Sequence, residues 1–183
     1  MQENTATVFV VDDDAGVRKS LGQLLASIGL PVETFASGPE FLDAIDPDRP
    51  GCLVLDLRLK EGSGLDVQDE LHRRGVPLPI IVLTGHGNVP DAVRAMRAGA
   101  FDFLQKPPPP AALLERIRAA IEHDRIARAS ACERAAALGR LSVLAPGERD
   151  VLALMVAGGA SPQVASDLAL GMRTTQGCGG GMR

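Results

Sequence analysis

The chain has 183 residues, room for one domain of ordinary size and a second small piece, since globular domains cluster near about 100 to 150 residues. Hydrophobic residues make up 45% and charged residues 23%, which excludes global disorder, and the absence of Trp and Tyr leaves the core to aliphatic side chains. A formal charge of -4, from 19 basic and 23 acidic residues, excludes a chain-wide attraction to nucleic acid or anionic lipid.

The N-terminal MQENTA is polar and lacks the basic and apolar regions of a signal peptide, and no apolar run approaches the roughly 20 residues that span a bilayer. The expectation is a soluble cytoplasmic protein with no membrane partner. From Val8 onward, short apolar runs alternate with segments of helical period, the pattern of a parallel sheet covered on both faces. Strands are expected at 8–11, 32–35, 52–55, 80–83 and 101–104, each short and bounded by turn-forming residues.

Between the first two strands, Val17, Leu21, Leu24, Leu25 and Ile28 recur at helical spacing, and Gly29 with Pro31 ends that helix. Shorter helices fit 39–45, 65–74 and 90–98, the last closed by Gly99. A fifth opens at the proline run 107–110, because proline sits before or in the first turn of a helix but not inside it. Leu113, Leu114, Ile117 and Ile121 mark its buried face. The class is therefore α/β, a doubly wound (βα)5 domain over 1–121.

Residues 122–140 keep strong helix formers with a thin apolar stripe and read as a helical linker. In 141–183, two short helices are expected, one from Pro146 to about Gly158 and one capped by Ser161 with Pro162 in its first turn. The closing GMRTTQGCGGGMR has no periodicity and is expected to be disordered. Cys52, Cys132 and Cys178 are widely spaced, so neither a disulfide framework nor a zinc site is expected.

The chemistry gathers at strand ends, where ligands bind in doubly wound sheets. Asp12, Asp13 and Asp14 follow the first strand, Asp56 ends the third, Thr84 ends the fourth and Lys106 follows the fifth. Taken singly, these are a helix cap, a strand-end hydroxyl and a surface lysine. Together they form a carboxylate cluster that calls for a cation, and hard oxygen ligands suit Mg2+. Asp56 can then act as a nucleophile toward a phosphoryl group, with Thr84 and Lys106 stabilising its oxygens. The run Gly62, Ser63, Gly64 reads as a turn, since no phosphate-loop motif surrounds it, and His86 reads as polar loop surface.

The segments VFVVDDDAGVRKSL, LVLDLRLKEGSGLD and IIVLTGHGNVPDAVRAMRAGAFDFLQKP closely resemble the ordered motifs of two-component response-regulator receivers, particularly the FixJ-like group. That resemblance implies a flavodoxin-like sheet of order 2-1-3-4-5. It implies that Mg2+ is held by Asp12, Asp13, Asp56 and the backbone carbonyl of Arg58, with Asp13 the more direct ligand of the acidic pair. Asp56 would accept phosphate from a sensor histidine kinase, Thr84 and Lys106 would hold the phosphoryl group, and Thr84 with Phe103 would form the switch toward a homodimer. The bond before Pro107 would be cis. The activity implied is Mg2+-dependent self-phosphorylation and dephosphorylation only, not that of an enzyme on other substrates.

The chain departs from the pattern at Leu59 and Lys60, where methionine and proline are usual, and at Pro108, where an aromatic residue is usual. A haloacid-dehalogenase-type phosphatase also uses an aspartate nucleophile and Mg2+, but it expects a second aspartate two residues on, where Arg58 stands.

LAPGERDVLALMVAGGASPQVASDLALGMRTT resembles the opening of a LuxR-type (NarL-like) helix-turn-helix, whose later helix enters the DNA major groove. The basic helix that should follow is replaced by GCGGGMR. Within 141–183, Arg149, Arg173 and Arg183 are balanced by Glu148, Asp150 and Asp167, so phosphate attraction is weak. A partial helix-turn-helix, as a frameshift would leave, is therefore expected to bind DNA poorly; a natural short variant is the other reading. DNA is a partner only if this segment works. The rival to a transcription regulator is a phosphorelay or phosphate-sink receiver acting by protein contact alone.

Overall fold

The computed structural model describes residues 6–85 and 89–143. His86 and the helices expected after residue 143 lie outside the described residues. In chain order the elements are β1 (Thr7–Val11), α1 (Ala15–Ser27), β2 (Val32–Phe35), α2 (Gly38–Ala44), β3 (Gly51–Asp56), α3 (Gly64–Arg73), β4 (Ile80–Thr84), α4 (Val89–Arg97), β5 (Asp102–Gln105) and α5 (Pro110–Val143). The five strands form one sheet of order β2-β1-β3-β4-β5, and all neighbours pair in parallel. This is the doubly wound architecture expected.

Strand alternation sorts the apolar residues between two faces. Phe9, Val11, Leu53, Leu55, Ile80 and Val82 pack on one side with Phe41 of α2, Val67 and Leu71 of α3, and Ala95 of α4. Val8, Val10, Cys52, Val54, Ile81 and Leu83 pack on the other with Leu21 and Leu25 of α1 and Leu113, Ile117 and Ala120 of α5. The three central strands are buried throughout, because helices cover both faces of them. Gly29 and Gly99, at φ 77° and 87°, close α1 and α4 in the left-handed region as expected.

Most boundaries fall within one residue of expectation, and the shift at the fifth strand has a clear cause. The fifth strand begins at Asp102 rather than Phe101, since its ladder with β4 opens at Ile81↔Asp102. Phe101 packs beside the α1/α5 cluster instead, so its apolar character marked a core position and not a strand start. Helix α5 starts at Pro110, with Pro109 supplying the carbonyl that accepts from Leu113 N–H (3.1 Å). It then continues without interruption to Val143. Among the described residues no helix is long and apolar enough to cross a membrane.

The chain divides into two compact units, Met1–Ala129 and Ser130–Arg183. In the second, the described side chains of residues 130–139 are all exposed. The first unit holds α5 by a polar clasp lying beyond the Ile121 boundary read from the sequence. Asp124 is 1% exposed and accepts from Gly51 N–H (2.9 Å), while Arg128 Nε donates to both of its oxygens (3.0 and 2.9 Å). The Arg128 guanidinium also donates to the carbonyls of Pro47 (3.2 Å) and Arg49 (2.9 Å). Arg49 in turn donates to Glu33 of β2 (2.6 and 3.0 Å) and to Thr7 Oγ1 of β1 (3.2 Å). The starts of β1, β2 and β3 are thereby tied to one side of α5.

Burial and the neighbouring Asp124 charge push the Cys52 thiol up to about 12. Asp124→Ala should lower unfolding free energy by about 3 kcal/mol, because it strands a partly buried guanidinium. In a Cys132→Ser, Cys178→Ser background it should also open Cys52 to Ellman's reagent. A urea midpoint equal to that of the parent, with Cys52 still unreactive, would show that the clasp holds nothing.

Candidate functional site

The register of the sheet delivers acidic residues to one end of it. Val11 pairs with Leu55 and Asp56 with Leu83, so Asp12 and Asp56 leave adjacent strands at the same level. Carboxylate oxygens of Asp12, Asp13 and Asp56 lie within 4.8 Å of one another. Asp12 and Asp56 are buried, and Asp13 is half-buried. Such a triad of hard oxygen donors suits a divalent cation, and its like charges demand one or an internal substitute.

Lys106 is the internal substitute. Its backbone N–H donates to the Thr84 carbonyl (2.8 Å), which registers the residue after β5 against the end of β4. Its Nζ donates to Asp56 Oδ2 (2.6 Å) and to Asp12 Oδ2. Burial works to lower the lysine's pKa, but these hydrogen bonds and charges outweigh it and hold the value above the ordinary one. The ammonium therefore remains a fixed positive charge at neutral pH. The Lys106–Pro107 peptide is cis, as the resemblance implied.

The loop after β1 is held by its own side chains. Asp12 Oδ1 accepts from Asp14 N–H (2.9 Å), and Arg18 of α1 donates to the Asp12 carbonyl (2.6 Å). Asp14 caps α1, accepting from the N–H groups of Gly16 and Val17, and those bonds hold its carboxyl below the usual range. Asp14 thus has a capping use, distinct from the triad.

The loop after β3 is held by its own contacts, without the usual proline. Arg58 N–H donates to Asp56 Oδ1 (3.0 Å), Arg58 pairs with Ser63 across an isolated antiparallel bridge, and Leu59 is buried in the α2/α3 cluster. Gly62 turns at φ 91°, and Ser63 with Asp66 forms a capping box that opens α3. The Gly62, Ser63, Gly64 run is thus a turn and helix start. Gly64 is needed for space: a Cβ there would lie 2.3 Å from the Asp56 carbonyl oxygen.

Thr84 is buried at the end of β4. Phe103 pairs with Val82, so Val82, Thr84 and Phe103 face the same side of the sheet, and Phe103 is half-buried against the α2/α3 cluster. The structure therefore brings Asp12, Asp13, Asp56 and Lys106 into one group, with Arg58 bonded to it through its N–H. Sequence reasoning passed over Arg18 and the steric role of Gly64. Their signals were faint: a helix arginine reads as solvated, and a glycine beside a serine reads as part of a turn.

A family model described as "Response regulator receiver domain" matches residues 8–118. The chain is similar to Nodulation protein W of Bradyrhizobium diazoefficiens, at 46% identity over 90% of this chain and 73% of that protein. It is similar to Transcriptional regulatory protein FixJ of Azorhizobium caulinodans, at 42% identity over 92% of this chain and 80% of that protein. Among solved structures it resembles the response regulator StyR, with 42% identity and a TM-score of 0.77 over 90% of this chain and 83% of that one.

If Lys106 is the internal counterion, Lys106→Met should cost about 2 kcal/mol in EDTA, between the values of exposed and buried pairs. Adding MgCl2 should recover part of the loss, since a cation bound to the folded state stabilises it. Urea denaturation in both buffers measures this; equal stability of variant and parent in EDTA would remove Lys106 from the role.

Proposed function

The chain belongs to the response-regulator receiver family, in its FixJ-like group, and from that premise we propose that it accepts a phosphoryl group on Asp56 from a sensor histidine kinase. The single observation that carries this reading is the ammonium of Lys106 bonded to Asp56 inside a triad of carboxylates at the strand ends. An Asp56 oxygen attacks the phosphorus of a phosphohistidine. The P–O bond forms as the P–N bond breaks, and the imidazole leaves with the bond electrons and takes a proton from solvent.

In this reading Asp12, Asp13, Asp56 and the Arg58 carbonyl hold Mg2+. The fit rests on the three carboxylates, hard oxygen donors whose atoms lie within 4.8 Å of one another. When bound, Mg2+ neutralises charge on the transferring phosphoryl group. Lys106, fixed as a cation, pairs with one phosphoryl oxygen and the Thr84 hydroxyl donates to another. The Asp12 and Asp14 contacts of the first loop keep the acidic pair in place.

Thr84 and Phe103 share a face, which supports a switch in which phosphorylation draws on Thr84 and repacks Phe103. The population then shifts toward a homodimer formed around α4 and β5. The output we propose is control of transcription, in keeping with the name of the FixJ relative, and it requires a working segment after α5. The chemistry on this chain is limited to its own phosphorylation and dephosphorylation in the cytoplasm. A phosphate-sink role without DNA is the less favoured reading: the charge balance of 141–183 speaks for it, and the name of the FixJ relative speaks for transcription.

Asp56→Asn should reduce label transfer from a phosphorylated histidine kinase or from an acyl phosphate donor to background, with the fold intact by circular dichroism. Undiminished labelling of that variant would move the acceptor elsewhere.

A further inference from the structure

The cation nearest to Asp13 among the described ion pairs is Lys60, with Nζ 3.7 Å from Asp13 Oδ2. It stands where the family resemblance leads one to expect a proline. Its side chain is 79% exposed, yet its backbone is not loose. Leu59 is buried, Arg58 is bridged to Ser63, and Gly64 N–H donates to the Leu57 carbonyl (3.0 Å), so the lysine stem springs from a fixed point at the mouth of the carboxylate cleft. Two other cations of the cleft are committed. Lys106 is bonded to Asp12 and Asp56, and Arg18 is bonded to the Asp12 carbonyl.

We propose that Lys60 sets the Mg2+ affinity of the acidic site by competing electrostatically for Asp13, so that this receiver takes up the ion more weakly than it would without the lysine. The inference rests on the functional reading above, in which Asp13 is an ion ligand. Its physical basis is direct. A cation at the mouth stabilises the metal-free triad by pairing with Asp13, and it repels a divalent ion once bound. Both effects act in the same direction. Exposure limits their size, because water and salt screen a pair of this kind. The gain on removing the charge is therefore modest, about twofold to fivefold in affinity, in line with exposed ion pairs.

The test is calorimetric titration of the full chain with MgCl2 for the parent, Lys60→Gln and Lys60→Glu at low salt. Affinity should rise in that order, by about twofold to fivefold for the neutral variant and further for the acidic one, and the spread should shrink in high salt as the Debye length falls to about 3 Å at 1 M. Asp13→Asn is titrated alongside. If the parent binds Mg2+, Asp13→Asn binds it weakly and the Lys60 series is flat or reversed, the ion-site reading stands and the role of Lys60 is overturned. If the parent takes up no Mg2+, or Asp13→Asn binds as the parent does, the ion-site reading fails and takes this inference with it. Because the readout is ion uptake, a change in phosphotransfer alone cannot imitate it.

Discussion

Two carboxylates that are nearly dry, with a third beside them, must be matched by positive charge or the strand ends that carry them will not close together. In this chain Lys106 supplies the match from within, reaching Asp12 and Asp56 at once. The sheet order makes that reach possible. Because β1 lies between β2 and β3, the acid-bearing ends of β1 and β3 are neighbours, and the residue after β5 is carried to them by the Lys106 N–H bond to Thr84. A separate, steric constraint explains the absence of a side chain at Gly64, since the β3–α3 turn must pass against the Asp56 carbonyl.

Strand β3 carries two polar centres at opposite ends. Asp56 ends it in the carboxylate cleft, and Gly51 begins it in the clasp with Asp124. The two centres use buried charge differently. In the cleft, several acids share one lysine and retain open coordinating capacity. In the clasp, Asp124 is met by the Arg128 Nε–H, shared between its two oxygens, and by a backbone N–H, so its oxygens are already occupied. An arrangement satisfied in that way favours rigidity, whereas one short of positive charge favours a ligand.

The fold and the core of the site were legible because both are written in short-range pattern. Apolar runs of strand length, glycine after helix ends and acids at the close of those runs are features that neighbouring residues determine. What escaped was tertiary. Asp124 and Arg128 have the i,i+4 spacing of an ordinary exposed helix pair, and only the approach of Gly51 makes them interior. Arg18 likewise reads as the polar face of an amphipathic helix until the Asp12 carbonyl is placed over it. Phe101 misled in the other direction, since a core-facing aromatic before a ladder looks like part of the strand.

The departures at Leu59 and Lys60 show how a loop can be restricted without a proline and carry a charge at its tip. Proline restricts the backbone and carries no charge. Here the restriction comes instead from the buried Leu59 side chain, the Arg58–Ser63 bridge and the capping box of α3. Once the loop is held by those contacts, the position at its tip is released from a structural role and can bear an exposed charge at little cost to the fold. Because that charge faces Asp13 across 3.7 Å, it acts on the electrostatics of the cleft without taking part in its geometry. A loop of this construction can therefore alter how strongly the site holds a cation while leaving the carboxylates and Lys106 where the strands put them.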